Sequence, residues 1–159
     1  MKKISGFTLI ELLAVVLILS ILTSIAVPQY RKAIQRTKAA NALINLKTAF
    51  EAAKRSYVQS SSWPTGLDHL DVAFFNVING NQVDGFEYSF TSTPNRMHIA
   101  ACLINDAGDT DTYCLRAYYK IGNYRDVLTC KALDQAYNSL CESMRGQLNR
   151  QTTEGVWLN

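Results

Sequence analysis

Glu11 makes the sharpest chemical demand in this sequence. It is the only acid within residues 7–27, a run otherwise built of apolar residues and the small hydroxyls Thr8, Ser20, Thr23 and Ser24. An ionised carboxylate in such surroundings is costly unless a positive or donor group meets it. No lysine or arginine lies in that run. A positive partner must therefore come from a chain end or from another molecule, and an acid so placed points to assembly between chains.

The remaining chemistry-bearing residues lie far down the chain. Cys102, Cys114, Cys130 and Cys141 include no C-x-x-C pair, and in an exported chain four such cysteines read as two disulfides. More than one connectivity is open. Gly108 lies midway between Cys102 and Cys114, so a hairpin turning there sets the two face to face, with Cβ atoms about 4.5–5.5 Å apart and closable by small strand shifts. Asp106, Asp109 and Asp111 share one turn and could attract calcium, but the D-x-D-x-D-G ligand order is missing. A solvated acidic turn is the simpler reading. His69 and His98 stand apart from each other and from any cysteine pair at metal spacing, which disfavours zinc. There is no G-x-S-x-G, no H-E-x-x-H and no glycine-rich phosphate loop. An enzyme would need a constellation formed only by the fold. The reading is of no enzyme, no metal and no cofactor.

The elements that position these residues follow from the pattern. Residues 7–27 make roughly 31 Å of helix at about 1.5 Å per residue, one hydrocarbon thickness. Lys2 and Lys3 precede the run and hold its start on the cytoplasmic side. Pro28 closes it and is expected to kink or stop the helix. The helical period resumes with Tyr30, Ile34, Leu43, Leu46, Phe50, Ala53 and Tyr57 on one stripe. Arg31, Lys32, Arg36 and Lys38 could meet anionic lipid heads, a neighbour's acids or DNA; solvated or lipid-facing charge is the simpler account. The Ser60–Gly66 run ends the helix and opens a loop over 66–85, from which Leu67, Leu70, Val72, Phe74 and Phe75 can tuck beneath a head. Strands are expected at 86–90, 97–104, 113–120 and 124–128, with turns at Thr91–Asn95 and at 105–111. Antiparallel strands on the second half of the helix make an α+β head, and neither a repeat nor a second globular domain is visible.

The K-K-I-S-G-F-T-L-I-E-L-L run resembles the class III signal of type IV pilins and related pseudopilins. The resemblance implies cleavage by a prepilin peptidase between Gly6 and Phe7 and N-methylation of Phe7. It also implies assembly through Glu11, which becomes the fifth residue of the cleaved chain. Thr8 and the freed amine of Phe7 are the local donors to it. The implied organisation is a leader at 1–6, a membrane-spanning and assembly helix at 7–27, its continuation at 28–60 and a globular head at 61–159. The W-P-T-G-L-D-H-L-D stretch is similar to the loop after the helix in small pilins. A Cys130–Cys141 bond beside Cys102–Cys114 would be similar to the family's disulfide-bounded C-terminal region. Where many pilins carry a glycine about eight residues before the proline, this chain has Ser20.

The function implied is that of a pilus subunit, held in the inner membrane before assembly and extracellular afterwards, serving adhesion, motility or DNA uptake. Its implied partners are copies of itself, the peptidase, an assembly ATPase and a platform membrane protein. A type II secretion pseudopilin and a DNA-binding competence or minor pilin share the same anchor chemistry. Without Lys2 and Lys3 the formal charge falls from +3 to +1, so composition lends DNA binding no support.

Overall fold

The computed structural model of the chain describes residues 7–72, 81–105, 107–110, 112–121, 126–133 and 135–144. Residues 1–6, Phe74, Phe75, Asp106, Asp111, Tyr124 and everything from 145 onward lie outside these. The chain divides into two compact units, one ending at Thr37 and the other beginning at Lys38.

A single α-helix, α1, covers Leu9–Ser60. In the first unit it has no protein to pack on: Leu9, Leu17 and Ile25 are 78%, 63% and 60% exposed. This is the part of the helix long and apolar enough to cross a membrane. Its hydroxyls are turned inward on their own backbone. Ser20 Oγ donates to the Val16 carbonyl at 2.7 Å and Thr23 Oγ1 to that of Leu19 at 2.8 Å. Ser24 Oγ donates to the Ile21 carbonyl, also at 2.7 Å. Such bonds let polar side chains sit in hydrocarbon without unmet donors. Pro28 lies inside α1 and does not stop it. Tyr30 and Ile34, read from sequence as part of a packed stripe, are exposed in this unit.

In the second unit the packed face of α1 is Ala39, Ala42, Leu43, Leu46, Ala49, Phe50, Ala52 and Ala53. The apolar periodicity found the large residues of this face, but four of its alanines went unread. Their small side chains let the helix backbone come close to the sheet, so Tyr88 can reach across and donate from its hydroxyl to the Ala42 carbonyl at 3.5 Å. Burial pushes the Tyr88 phenol up to about 12.

The sheet is an antiparallel meander in the order β1-β2-β3-β4-β5. The strands are β1 (Gln82–Val83), β2 (Phe86–Thr93), β3 (Arg96–Leu103), β4 (Tyr113–Lys120) and β5 (Val127–Ala132). Phe86, Tyr88, Met97, Ile99, Ala101, Tyr113, Leu115, Ala117 and Cys130 alternate onto the inner face and join the helix residues in one core. Three expectations need correction. The 66–85 loop contains β1, because Asp84 and Gly85, at φ 53° and 82°, make a two-residue hairpin turn into β2. The turn after β2 is only Pro94-Asn95, since Thr91, Ser92 and Thr93 remain paired with His98, Met97 and Arg96. The last strand lies at Val127–Ala132 instead of 124–128 and so contains Cys130, whose register partner is Leu115.

Cys102 and Cys114 are register partners across β3 and β4, 4.1 Å apart at Cα, and are disulfide-bonded. The connection between them turns on Asn105, whose Oδ1 accepts from the amides of Ala107 and Asp109 at 2.9 and 2.8 Å. Gly108, at φ 87°, supplies the left-handed residue this turn needs. A second bond joins Cys130 to Cys141. Cys141 lies on the short helix α2 (Asn138–Ser143), which buries Leu140 and Cys141 against the core. Lys54 ties α1 to the sheet side through Asp126 at 3.0 Å, with Glu51 at 3.4 Å. Burial opposes its charge, but the two carboxylates more than offset this and its pKa is raised.

His98 faces away from the helix and stacks on Tyr118, ring centroids 4.6 Å apart. Burial, with help from the nearby Arg116 charge, holds its imidazole down to about 4. The unfolded chain therefore binds a proton below about pH 6.5 that the fold refuses until about pH 4. This stabilising contribution is complete above pH 6.5 and is lost as pH falls through that window. His98→Phe keeps a ring for Tyr118 and removes the titration. Between about pH 7 and pH 4 the variant should lose roughly 2 kcal/mol less stability than the parent, read as the shift in thermal midpoint by near-ultraviolet circular dichroism. Identical acid losses in the two proteins would contradict this assignment.

Candidate functional site

The chemistry read from the sequence gathers at the first turn of α1. Phe7 precedes the helix and is 81% exposed, and helical structure starts at Leu9. Glu11 turns back toward the start of the chain. Its Oε2 accepts from the Thr8 amide at 2.8 Å and from Thr8 Oγ1 at 2.6 Å. The Glu11 amide in turn donates to Thr8 Oγ1 at 3.4 Å, and the Leu12 amide donates to the Thr8 carbonyl at 3.3 Å. This is a reciprocal capping box, with Thr8 closing the helix start and Glu11 three residues on returning the bond. The carboxylate also sits where the helix dipole favours negative charge.

The box has a further property. Both bonds to the Glu11 side chain converge on Oε2, so among the described residues Oε1 has no donor. The carboxylate is oriented by its own chain but only half satisfied. Around it lie exposed Phe7, Leu9, Ile10, Leu12 and Leu13, an environment in which an added donor would be strongly held. The sequence pattern T-x-x-E ahead of an apolar run signals this cap. The sequence names Thr8 as a local donor to Glu11, and the structure adds the return bond from the Glu11 amide that closes the box.

The other candidates fall elsewhere. Gly6 lies outside the described residues, and so do Asp106 and Asp111 of the acidic turn. Pro28 is internal to α1. The two disulfides belong to the second unit and hold the sheet and its C-terminal extension. Among the described residues, no three His, Cys, Asp or Glu side chains come together as a metal site. His69 instead touches Thr65 Oγ1 at 3.3 Å and Asp68 at 3.1 Å on the surface.

Residues 1–27 match the family described as the prokaryotic N-terminal methylation motif. The chain is also 42% identical to a fimbrial protein of Pseudomonas aeruginosa over 79 residues, 46% of this chain and 51% of that one. Motif and fold together resemble those of type IV pilins. A fimbrial protein of Neisseria meningitidis serogroup A is 32% identical over 82 residues, 52% of this chain and 48% of the relative. The chain thus spans about half the length of the curated relatives it matches. The long helix, the antiparallel sheet and the Cys130–Cys141 bond fit the α+β pilin architecture.

The capping geometry makes Thr8 a positioning residue for Glu11. Thr8→Val removes the hydroxyl that bridges the box and should cost the helix start about 0.5–2 kcal/mol. In the full chain in detergent micelles, the Glu11 and Leu12 amides should then exchange hydrogen several-fold faster, while amides beyond Val16 keep their rates. Unchanged exchange at Glu11 would show that the box does not hold the helix start.

Proposed function

We propose that this chain is the structural subunit of a bacterial type IV pilus, cleaved after Gly6, N-methylated on Phe7 and polymerised through α1 into a surface filament. The observation that carries the reading is the half-satisfied carboxylate of Glu11, oriented by Thr8 at the start of an exposed apolar helix. Cleavage before Phe7 would create an amine at the same depth as that carboxylate. The amine of an incoming copy then offers Glu11 Oε1 a charged donor, and the apolar helices bury one another. Before assembly the same helix holds the chain in the inner membrane. The relatives named as fimbrial proteins support the reading, as does the methylation motif. Prepilin peptidase, an assembly ATPase and a platform protein are the partners it requires.

Processing is the first step to test. Phe7 lies ahead of the helix and is exposed, which suits approach by a protease, and glycine before it lets a backbone-reading site come close. Gly6→Val should leave full-length protein in the inner membrane, since a branched side chain obstructs that approach. An N-terminus at Phe7 found by mass spectrometry in this variant would count against the proposed cut.

Assembly is the second. Glu11→Val keeps the segment apolar, so insertion and cleavage should survive while docking fails. An incoming amine left buried without its acid typically costs about 3–5 kcal/mol, over a hundredfold per subunit added. Thr8→Val separates this from a simple capping defect, because it weakens the box but keeps the carboxylate; filaments should persist there in reduced number. A strain carrying only Glu11→Val with normal filament number and length by electron microscopy would falsify the pairing.

A further inference from the structure

The outer face of the sheet, turned away from α1, is open on one side and closed on the other. Along β2 its residues Glu87, Ser89, Thr91 and Thr93 are all exposed. Toward β5 the same face is shielded, with Ala100, Cys114 and Thr129 only 3%, 2% and 7% exposed. His98 Nε2 and Arg116 Nε, two polar atoms of this face, are likewise closed to solvent. Ser89, Ala100, Arg116 and Thr129 form one row of register partners across β2, β3, β4 and β5. β5 is the edge of the sheet, where an outward threonine should meet water. Thr129 does not, so the face has a cover that enters from the β5 side.

The chain supplies a segment at that edge. α2 joins the inner core through Leu140, Cys141 and Met144, and Cys141 is bonded to Cys130 of β5. Residues 145–159 follow directly, R-G-Q-L-N-R-Q-T-T-E-G-V-W-L-N. At about 3.3 Å per residue such a segment can span roughly 50 Å. Passing round β5 from the inner layer to the outer uses about 20 Å, two packing spacings. What remains outreaches the three strands to be covered. Other parts of the chain leave in the wrong places. β1 lies at the opposite edge, beside the exposed side of the face. The β4–β5 connection leaves from the end of β4 where Tyr118 and Lys120 are exposed.

The chemistry of face and segment is complementary. Arg116 and Lys131 place two cations on the shielded side, as diagonal neighbours on β4 and β5. Among the described residues, the acid on the outer face is Glu87 of β2, with β3 between it and the strand of Arg116. Residues 145–159 carry a single acid, Glu154, followed after Gly155 by the apolar run Val156-Trp157-Leu158. We propose that residues 145–159 form a strap that rounds the β5 edge and docks on the outer face, with Glu154 between Arg116 and Lys131 and Trp157 over Ala100 beside His98. Burial of the indole supplies most of the attraction, and the charges set the register. The strap also covers the free edge of β5, which would otherwise offer unpaired backbone groups to another chain. It needs no second subunit and stands apart from filament assembly.

The full, unassembled chain in detergent micelles, with isotope-labelled alanine methyls, tests this. Nuclear Overhauser contacts should join the Trp157 ring to the Ala100 methyl and vanish in Trp157→Ala. Carbethoxylation by diethyl pyrocarbonate, followed by mass spectrometry, reads the cover separately. His98 should react several-fold faster in Trp157→Ala and in Glu154→Lys, whose new charge opposes Arg116 and Lys131. His69, already on the surface, should keep its rate, and the inner methyls of Ala101 and Ala117 should keep their shifts as a check on the fold. Contacts seen only between labelled and unlabelled chains would assign the face to a second copy and overturn the strap. Absence of any contact from Trp157 to Ala100, or equal His98 rates in parent and variants, would overturn it as well.

Discussion

Everything in the first unit depends on keeping one carboxylate in an apolar helix. An unmet acid at Glu11 would be expelled toward water or neutralised. The chain meets part of that cost with Thr8, whose amide and hydroxyl both reach Oε2, while among the described residues the other oxygen has no donor. Every other polar side chain in the run is silenced on its own backbone, as Ser20, Thr23 and Ser24 are. Contrast gives Glu11 its specificity. In a segment with no other unmet polar group, a single charged donor finds a single address.

The second unit solves a different problem. A meander of five strands has little core of its own, and α1 supplies a face rich in alanine against which the sheet can lie close. The aromatic residues Phe86, Tyr88 and Tyr113 then fill the layer, with burial driving both tyrosine hydroxyls upward in pKa. The disulfides fix what packing alone leaves weak: the β3–β4 hairpin at Cys102–Cys114 and the short α2 at Cys130–Cys141. Each closes a loop of about a dozen residues and so acts chiefly by restricting the unfolded chain, worth on the order of 3 kcal/mol apiece.

The legible parts of this chain were those governed by strong, simple terms. Apolar length revealed the span, and alternation revealed β2, β3 and β4. The central position of Gly108 placed Cys102 opposite Cys114 because hairpin register is symmetric about its turn. Weaker or shared signals were missed. Asp84-Gly85 is a hairpin dipeptide, but a two-residue strand gave it no alternation to anchor. The last strand is expected at 124–128, whereas the described strand runs over Val127–Ala132 with Cys130 opposite Leu115; Tyr124 lies outside the described residues. Alanine carries little hydrophobic signal, so the contact face at Ala39, Ala42, Ala49 and Ala52 emerges only from packing. At the site itself, Glu11 and its donor Thr8 are both legible in the sequence, whereas the reciprocal bond from the Glu11 amide to Thr8 Oγ1 emerges only from the geometry of the helix start.

Assembly as proposed requires that Glu11 Oε1 receive the N-terminal amine of another copy. The most direct measurement is a high-resolution cryo-electron microscopy reconstruction of filaments sheared from cells, with density for residues 7–11 of neighbouring subunits. The density should show a chain beginning at Phe7, with its amine about 3 Å from Glu11 of an adjacent copy and Thr8 still bonded to the same carboxylate. A reconstruction in which the Phe7 amine lies far from every Glu11, with that carboxylate bonded only within its own chain, would contradict it.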